Sequence, residues 1–192
     1  TAISTIDMEY ADAMDSVIKL IAISKKVGNM IFARVSPAII NKSHPLANVE
    51  DVFNAIVVKG NAIGDAMFYG RGAGKLPTAS AVVADIIDIV RHIGSNDRNV
   101  WVRKEYNNVL DINESETRFF VRVESVNRED ALKSISHIFG NVNYVRLDKV
   151  GLENEIAFIT EKAREGDLKD KVDKLKREDS VREIKSIIRV EE

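Results

Sequence analysis

The 192-residue sequence contains no cysteine. Disulfide bonds, thiolate metal ligands and a cysteine nucleophile are therefore excluded. The same absence is compatible with a reducing cytoplasm, where we expect the protein to reside. Long apolar runs are also missing, because no segment reaches the roughly 20 uninterrupted apolar residues that a membrane helix needs. The first ten residues, TAISTIDMEY, lack an initiator Met and any signal-peptide pattern, so we expect a processed chain or part of a longer protein.

An excess of one charge sign is absent as well. The 28 basic and 30 acidic residues give a net charge of -2, which offers no electrostatic reason to expect nucleic acid or a membrane as partner. The composition, 45% hydrophobic and 30% charged, is that of an ordinary globular protein. His44, His92 and His137 lie on different predicted elements without ligand spacing, so we expect no metal site.

Apolar periodicity predicts a helix at the start of the chain. Ser4 and Asp7 have capping-box spacing, and apolar residues recur at intervals of three and four from Met8 to Ala22. Gly28 ends this predicted helix.

Shorter periods predict strands next, over 31–35, 53–59 and 62–69. Pro37 ends the first strand, and a tight turn at Gly60 and Asn61 joins the other two as a hairpin. A second helix follows, with Thr78 as its cap candidate and Gly94 at its C-terminal end.

The second half of the sequence predicts a ferredoxin-like βαββαβ order. Its segments are strand 118–126, helix 128–139, strands 142–150 and 153–161, helix 167–177 and strand 182–190. A polar stretch over 95–116 is predicted as the linker before it, with a short strand at 100–102. The overall prediction is an α+β chain.

Gly70, Gly72 and Gly74 lie between a predicted strand and a predicted helix. Glycine lets a ligand approach the main chain, and a helix N-terminus attracts a phosphate or a carboxylate. The spacing is GxGxG, so the dinucleotide fingerprint GxGxxG is absent, and the P-loop pattern is absent too. Taken alone, such a loop is more often a structural turn. The flanking Arg71 and Lys75 could neutralise a phosphate or be plain solvated charges, and both interpretations remain open.

Three blocks of sequence favour a ligand site over a structural turn at this loop. FYGRGAGKLPTASAVVADIIDI (68–89), VIKLIAISK (17–25) and ARVSPAIINKSHPLANVEDVFNAIVVKGNAIGDAM (33–67) closely resemble homoserine dehydrogenases in order and spacing. The resemblance covers residues 1 to about 93. That family interconverts L-homoserine and aspartate 4-semialdehyde with NAD or NADP, a branch step toward threonine, methionine and isoleucine.

The resemblance also implies roles for individual residues. It places Gly74 against the dinucleotide, with Gly72 and Ala73 keeping the loop flat and Thr78 supporting it through the helix cap. His44 belongs to a family-like loop and is expected to shape the site. The family's Rossmann fingerprint and its lysine-bearing segment, DPxxDVxGxDAxxK, have no counterpart here. Lys19 is interpreted as a helix-surface residue, no catalytic residue is assigned, and the isolated chain is expected to be inactive.

Residues 118–192 resemble an ACT domain, which typically pairs through its sheet and binds an amino acid at its first strand–helix turn. That turn usually contains Asp-x-Pro-Gly, whereas the segment 126–134, VNREDALKS, has neither proline nor glycine. An amino-acid effector is therefore a weak expectation, although Asn127 can still cap the helix.

The predicted organisation has three parts. Residues 1–95 end a homoserine dehydrogenase catalytic and dimerisation domain with a mixed sheet, 96–117 form a linker, and 118–192 form the ACT-like domain. We expect a homodimer. The alternative is a non-catalytic amino-acid-binding regulatory or assembly module.

Overall fold

A computed structural model describes residues 3–94 and 108–191. The chain divides into two compact units. The larger unit joins Thr1–Ala47 to Asn108–Glu192, and the smaller unit is Asn48–Asn107. The predicted division at residues 95 and 117 follows chain order, whereas the larger unit is discontinuous because its two segments share one sheet. The predicted boundary at 95 and the predicted strand 100–102 lie outside the described residues.

The elements, in chain order, are α1 (Thr5–Ala13), β1 (Ser16–Val27), β2 (Met30–Asn41), β3 (Phe53–Gly60), β4 (Gly64–Arg71), α2 (Lys75–Arg91), a 3-10 turn (Ile112–Glu114), β5 (Glu116–Ser125), α3 (Arg128–Phe139), β6 (Val142–Val145), β7 (Glu155–Thr160), β8 (Ala163–Arg164), α4 (Glu165–Leu175) and β9 (Val181–Val190).

The larger unit is built on one mixed sheet in the order β1-β2-β9-β5-β7-β6, with the short β8 pairing the start of β5. Within it, β5, α3, β6, β7, α4 and β9 follow the predicted βαββαβ order, apart from the added β8, and that prediction is confirmed. Strand β6 is shorter than predicted, since it ends at Val145, and Gly151 lies with φ +91° in the long connection to β7.

The predicted first helix is only half right. The Ser4–Asp7 capping box is present, but α1 ends at Ala13. Asp15, with φ 51°, then changes the direction of the backbone before β1. The block predicted as the rest of the helix is strand β1, which pairs with β2 along its whole length, from Ser16 opposite Asn41 to Val27 opposite Met30. Gly28, predicted as a helix stop, instead lies in the tight turn between these two strands.

Pro37 does not end its strand, because β2 continues to Asn41. Strand β9 pairs with β2 only at Ala38 and Ile39, so the edge of β2 beside Pro37 carries no partner strand among the described residues. A proline is tolerated at such a position because no ladder hydrogen bond is lost there.

Around β5 both faces of the sheet are buried, whereas the outer strands β1 and β2 leave Leu20 and Val35 exposed. The face under α3 and α4 holds the larger apolar cluster, which includes Phe119, Val121, Val123, Ile135, Phe158, Leu168 and Leu175. The opposite face is covered by α1, where Tyr10 packs on Phe120 with ring centroids 5.7 Å apart. Strand β5 therefore alternates its side chains between two packed layers, which places it at the centre of the unit.

The smaller unit contains the β3–β4 hairpin and α2. The predicted hairpin is confirmed, with Phe53 opposite Arg71 and Gly60 opposite Gly64, although its turn covers 61–63 rather than Gly60 and Asn61. None of the described helices combines the length and apolar character needed to cross a membrane.

Candidate functional site

The glycine loop, Gly70–Gly74, leads from β4 into α2. Its first half is fixed to the hairpin, because Gly70 and Arg71 still pair with β3 and the Gly72 N–H donates to the Val52 carbonyl at 3.0 Å. The loop is therefore an extension of the sheet up to Gly72, and only the last two residues turn toward the helix.

Two of the three glycines have a local structural reason, one of packing and one of backbone conformation. A Cβ at Gly72 would lie 1.4 Å from the Asn54 Nδ2 atom, so a side chain fits only if Asn54 moves. Gly74 has φ +124°, a conformation that side chains rarely tolerate. Gly70 meets neither restriction. Close packing and backbone conformation thus explain Gly72 and Gly74 even before a ligand is considered.

Gly74 is the N-cap of α2, and no side chain caps this helix. The predicted cap at Thr78 is wrong, because Thr78 lies within the first turn and its own N–H donates to the Gly74 carbonyl at 3.0 Å. A glycine cap leaves the first N–H groups of the helix without a side-chain acceptor. The positive end of the helix is therefore available to an external anion.

The flanking charges differ in their surroundings. The Arg71 guanidinium lies 5.0 Å from the centre of the Phe53 ring, and Phe53 stacks on Tyr69 at 4.9 Å. Lys75 is exposed at the start of α2. Arg71 is thus held against an aromatic pair at one side of the loop.

The four residues predicted to contact a cofactor, Gly72, Ala73, Gly74 and Thr78, are contiguous with the helix start and exposed. Their role in binding stays a prediction.

The histidines are dispersed. His44 follows β2, where its Nδ1 accepts from the Leu46 N–H at 3.1 Å, and His92 is the C-cap of α2. His137 lies in the last turn of α3. Among the described residues no group of His, Asp and Glu is arranged to hold a metal ion. Lys19, predicted on a helix surface, lies on strand β1.

A buried charged cluster was missed by the sequence reasoning. Asp7 Oδ1 lies 3.0 Å from Arg122 Nε, and the Ser186 hydroxyl donates to the same oxygen at 2.6 Å. Both charged side chains are almost fully buried. Burial alone would raise the pKa of Asp7, but hydrogen bonds from Ser186 and Ser4 and the charge of Arg122 lower it below its usual value. An arginine inside the apolar strand FFVRV was the available signal.

Comparisons with a family model, with curated proteins and with solved structures all point to the same family. The fold is that of an α+β protein whose glycine loop enters a helix without a side-chain cap. Residues 1–87 match the family model described as homoserine dehydrogenase.

Full-length relatives support the match. The chain is 37% identical to a homoserine dehydrogenase of Synechocystis over 98% of its length and 47% of that protein. It is 35% identical to one from Corynebacterium glutamicum, again over 98% of this chain and 45% of the other. A homoserine dehydrogenase structure from Thiobacillus denitrificans superposes with a TM-score of 0.83 at 28% identity, covering 98% of this chain and 46% of that one. The chain is therefore related to homoserine dehydrogenases along nearly its whole length, and it spans about half the length of the relatives it matches.

Proposed function

We propose that this chain is the C-terminal part of a homoserine dehydrogenase, which interconverts L-homoserine and aspartate 4-semialdehyde with NAD or NADP. The observation that carries the proposal is the glycine loop at the start of α2, which lies inside the family match and presents an uncapped helix N-terminus. The remaining half of the enzyme would supply the dinucleotide fold and the lysine-bearing segment.

In this proposal the chain forms one wall of the cofactor site. The backbone at Gly72, Ala73 and Gly74 lets the dinucleotide approach closely, because none of these residues carries a bulky side chain. The N–H groups at the start of α2 stabilise negative charge, to which Lys75 adds. The bound cofactor supplies the hydride acceptor, and this chain positions it. Thr78, in the first turn, lies within the same wall.

A chimera tests the proposal. The chain replaces the matching part of the Synechocystis homoserine dehydrogenase, and homoserine oxidation is measured with NAD and NADP. We expect activity from the chimera and none from the isolated 192-residue chain. Gly74→Ala should raise the cofactor KM about tenfold or more, since even a small misplacement of a binding wall is costly. Gly70→Ala is the matched control and should leave the KM unchanged. An active isolated chain, or a Gly74→Ala chimera with normal KM, would contradict the proposed role.

We also propose that the protein is a homodimer. The β3–β4 hairpin is a two-stranded sheet, and it exposes Ile56, Val58 and Phe68 on one face. Isolated two-stranded sheets are marginally stable, and exposed apolar strand surfaces favour association. Sedimentation of the chimera should give a dimer, and Phe68→Glu should shift it toward monomer. A monomeric chimera at micromolar concentration would rule this out.

A further inference from the structure

Arg71 is the one charged side chain within the glycine loop, Gly70–Gly74. It ends β4 and lies opposite Phe53 of β3. Its guanidinium is 5.0 Å from the centre of the Phe53 ring, and that ring stacks on Tyr69 at 4.9 Å with 6° between the two planes. A cation over an aromatic face is attracted by the ring. The hairpin therefore holds this guanidinium in one place, beside two stacked rings.

The hydrogen-bond donors of Arg71 are not used within the part of the chain that the structure describes. A guanidinium carries five N–H donors and no acceptor. Arg71 is exposed, and its side chain makes the contact with Phe53 but no ion pair or hydrogen bond with another described residue. Its position is thus fixed by an aromatic contact, while its donors remain for a ligand.

The charge around the loop is positive on both sides. Lys75 is the first residue of α2, and the first turn of this helix contains no acidic residue. A cation at a helix N-terminus is unfavourable unless an anion lies nearby. Four residue steps separate Arg71 from Lys75, which places their Cα atoms at most about 14 Å apart. One ligand with several negative charges can therefore reach both side chains.

We propose that Arg71 binds a phosphate group of the dinucleotide and so orients the cofactor on the wall formed by the glycine loop. This inference rests on the proposed function and deepens it. A phosphate suits Arg71 because the guanidinium fork matches two phosphate oxygens. Such a group occurs in the diphosphate bridge of NAD and NADP, and again in the 2′-phosphate of NADP.

Phe53 is a positioning residue in this proposal. A free arginine side chain loses rotamer freedom when it binds a ligand, and that loss weakens binding. The contact with the Phe53 ring restricts Arg71 before the phosphate arrives, so less freedom is lost on binding. Lys75 has no such contact among the described residues, so its charge attracts the phosphates without fixing their orientation.

The test measures cofactor affinity without turnover. In the chimera with the Synechocystis homoserine dehydrogenase, binding of NAD and of NADP is followed by calorimetry in the absence of homoserine. Arg71→Met keeps the aliphatic stem but removes the donors, so it should weaken binding about tenfold or more. Arg71→Lys keeps the charge without the fork and should restore part of the affinity. Arg91→Met, in the last turn of α2, is the matched control and should have no effect.

The two cofactors identify the phosphate. Equal weakening of NAD and NADP assigns Arg71 to the diphosphate bridge, whereas weakening of NADP alone assigns it to the 2′-phosphate. A double substitution tests Phe53. Phe53→Leu should weaken binding by less than Arg71→Met does, and it should add nothing in the Arg71→Met background, because the ring acts only through the guanidinium. Circular dichroism checks that each variant is folded.

Three results would overturn the inference. Arg71→Met could bind both cofactors as tightly as the unaltered chimera while Gly74→Ala binds weakly, which would leave the proposed function standing. Lys75→Met could weaken binding as much as Arg71→Met, which would show attraction by charge alone. Additive effects of Phe53→Leu and Arg71→Met would reject the positioning role of Phe53. A chimera that binds neither cofactor, or normal binding by Gly74→Ala, would instead refute the proposed function itself.

Discussion

Asp7 and Arg122 are buried charges that stabilise each other across the larger unit. Arg122 Nη1 also lies 3.3 Å from the Glu155 carboxylate, and its Nη2 donates to the Ser4 hydroxyl at 3.0 Å. Asp7→Asn keeps the shape but removes the charge that Arg122 faces inside the protein. Removing one partner of a buried ion pair typically costs about 3–5 kcal/mol, and the remaining Glu155 places the expected loss near the lower end.

Urea unfolding followed by circular dichroism measures this loss. Asp12→Asn is the matched control, because Asp12 is exposed and its pair with Lys42 lies at the surface. The control should change the free energy of unfolding by less than about 0.5 kcal/mol. Equal effects of the two substitutions would show that burial of the Asp7–Arg122 pair contributes nothing to stability.

The ionisation of Asp7 and Glu165 predicts how stability depends on pH. The folded protein lowers the pKa of both carboxyl groups below 3.8 and 4.5, because hydrogen bonds and the charges of their cations outweigh burial. A group with a lowered folded pKa contributes stability above its unfolded pKa and loses it as the pH falls through the folded value. We therefore expect constant stability at neutral pH and a decline below about pH 4. Asp7→Asn should flatten this decline, whereas Asp12→Asn should not.

Gly72 makes a close contact that a single methyl group would disturb. Because its Cβ position overlaps the end of the exposed Asn54 side chain, Gly72→Ala should turn that side chain toward solvent and destabilise the smaller unit by no more than about 1 kcal/mol. Gly70→Ala, with open space at its Cβ, should be close to neutral. Amide hydrogen exchange of the hairpin measures the effect. Asn54→Ala should rescue Gly72→Ala, and failure of that rescue would refute the steric explanation.

At the level of single elements, α3 depends on its cap. The Asn127 side chain accepts from the N–H groups of Glu129 and Asp130 at 3.0 and 3.3 Å, and Glu129 and Asp130 add favourable charge in the first turn. Asn127→Ala should destabilise the larger unit by about 1 kcal/mol. Asn141→Ala, just beyond the other end of α3, is the control. The urea midpoints of the two variants are compared. Equal midpoints would show that the Asn127 cap does not stabilise the larger unit.

The elements also show how far local sequence patterns reach. The hairpin β3–β4, the βαββαβ order and the caps at Ser4 and Asn127 were predictable because each depends on neighbouring residues. Strand β1 was predicted as a helix because its apolar residues happen to recur at helical intervals. Its strand conformation depends on pairing with β2, and periodicity does not report pairing. The N-cap of α2 was also mispredicted from local sequence. Thr78 has the side chain of a capping residue, but the helix begins after Gly74, whose backbone conformation is seen only in the structure.

The buried polar clusters could not be predicted from local sequence, because their members are far apart along the chain. Ser186 and Asp7, which share a hydrogen bond, are 179 positions apart in the sequence. The candidate loop was predicted from its glycines and from its resemblance to a family, whereas the ion pair between Glu165 of α4 and Arg189 of β9 forms only in the folded chain. Only folding brings such residues together, so the sequence signals a buried charge at Arg122, inside the apolar strand FFVRV, but does not show which residues pair with it.

At the scale of the whole molecule, the discontinuous larger unit leads to a prediction about domain independence. The sequence suggests that 118–192 folds alone as an ACT-like domain. In the structure, however, α1 covers the outer face of its sheet, and β2 pairs with the end of β9. Removing the N-terminal segment would expose Phe120 and Ile188 and leave Arg122 without Asp7. We therefore expect residues 108–191 alone to lose cooperative unfolding.

A second truncation separates this effect from simple shortening of the chain. Replacing 48–107 with a flexible Gly/Ser linker removes the smaller unit and keeps both segments of the larger one. This variant should unfold in urea as one cooperative transition with a midpoint near that of the full chain, since its core clusters are intact. If 108–191 alone unfolded as cooperatively as the linker variant, the βαββαβ segment would be an independent domain. In that case α1 would be a dispensable cover, and the burial of Asp7 against Arg122 would not be required for the sheet to fold.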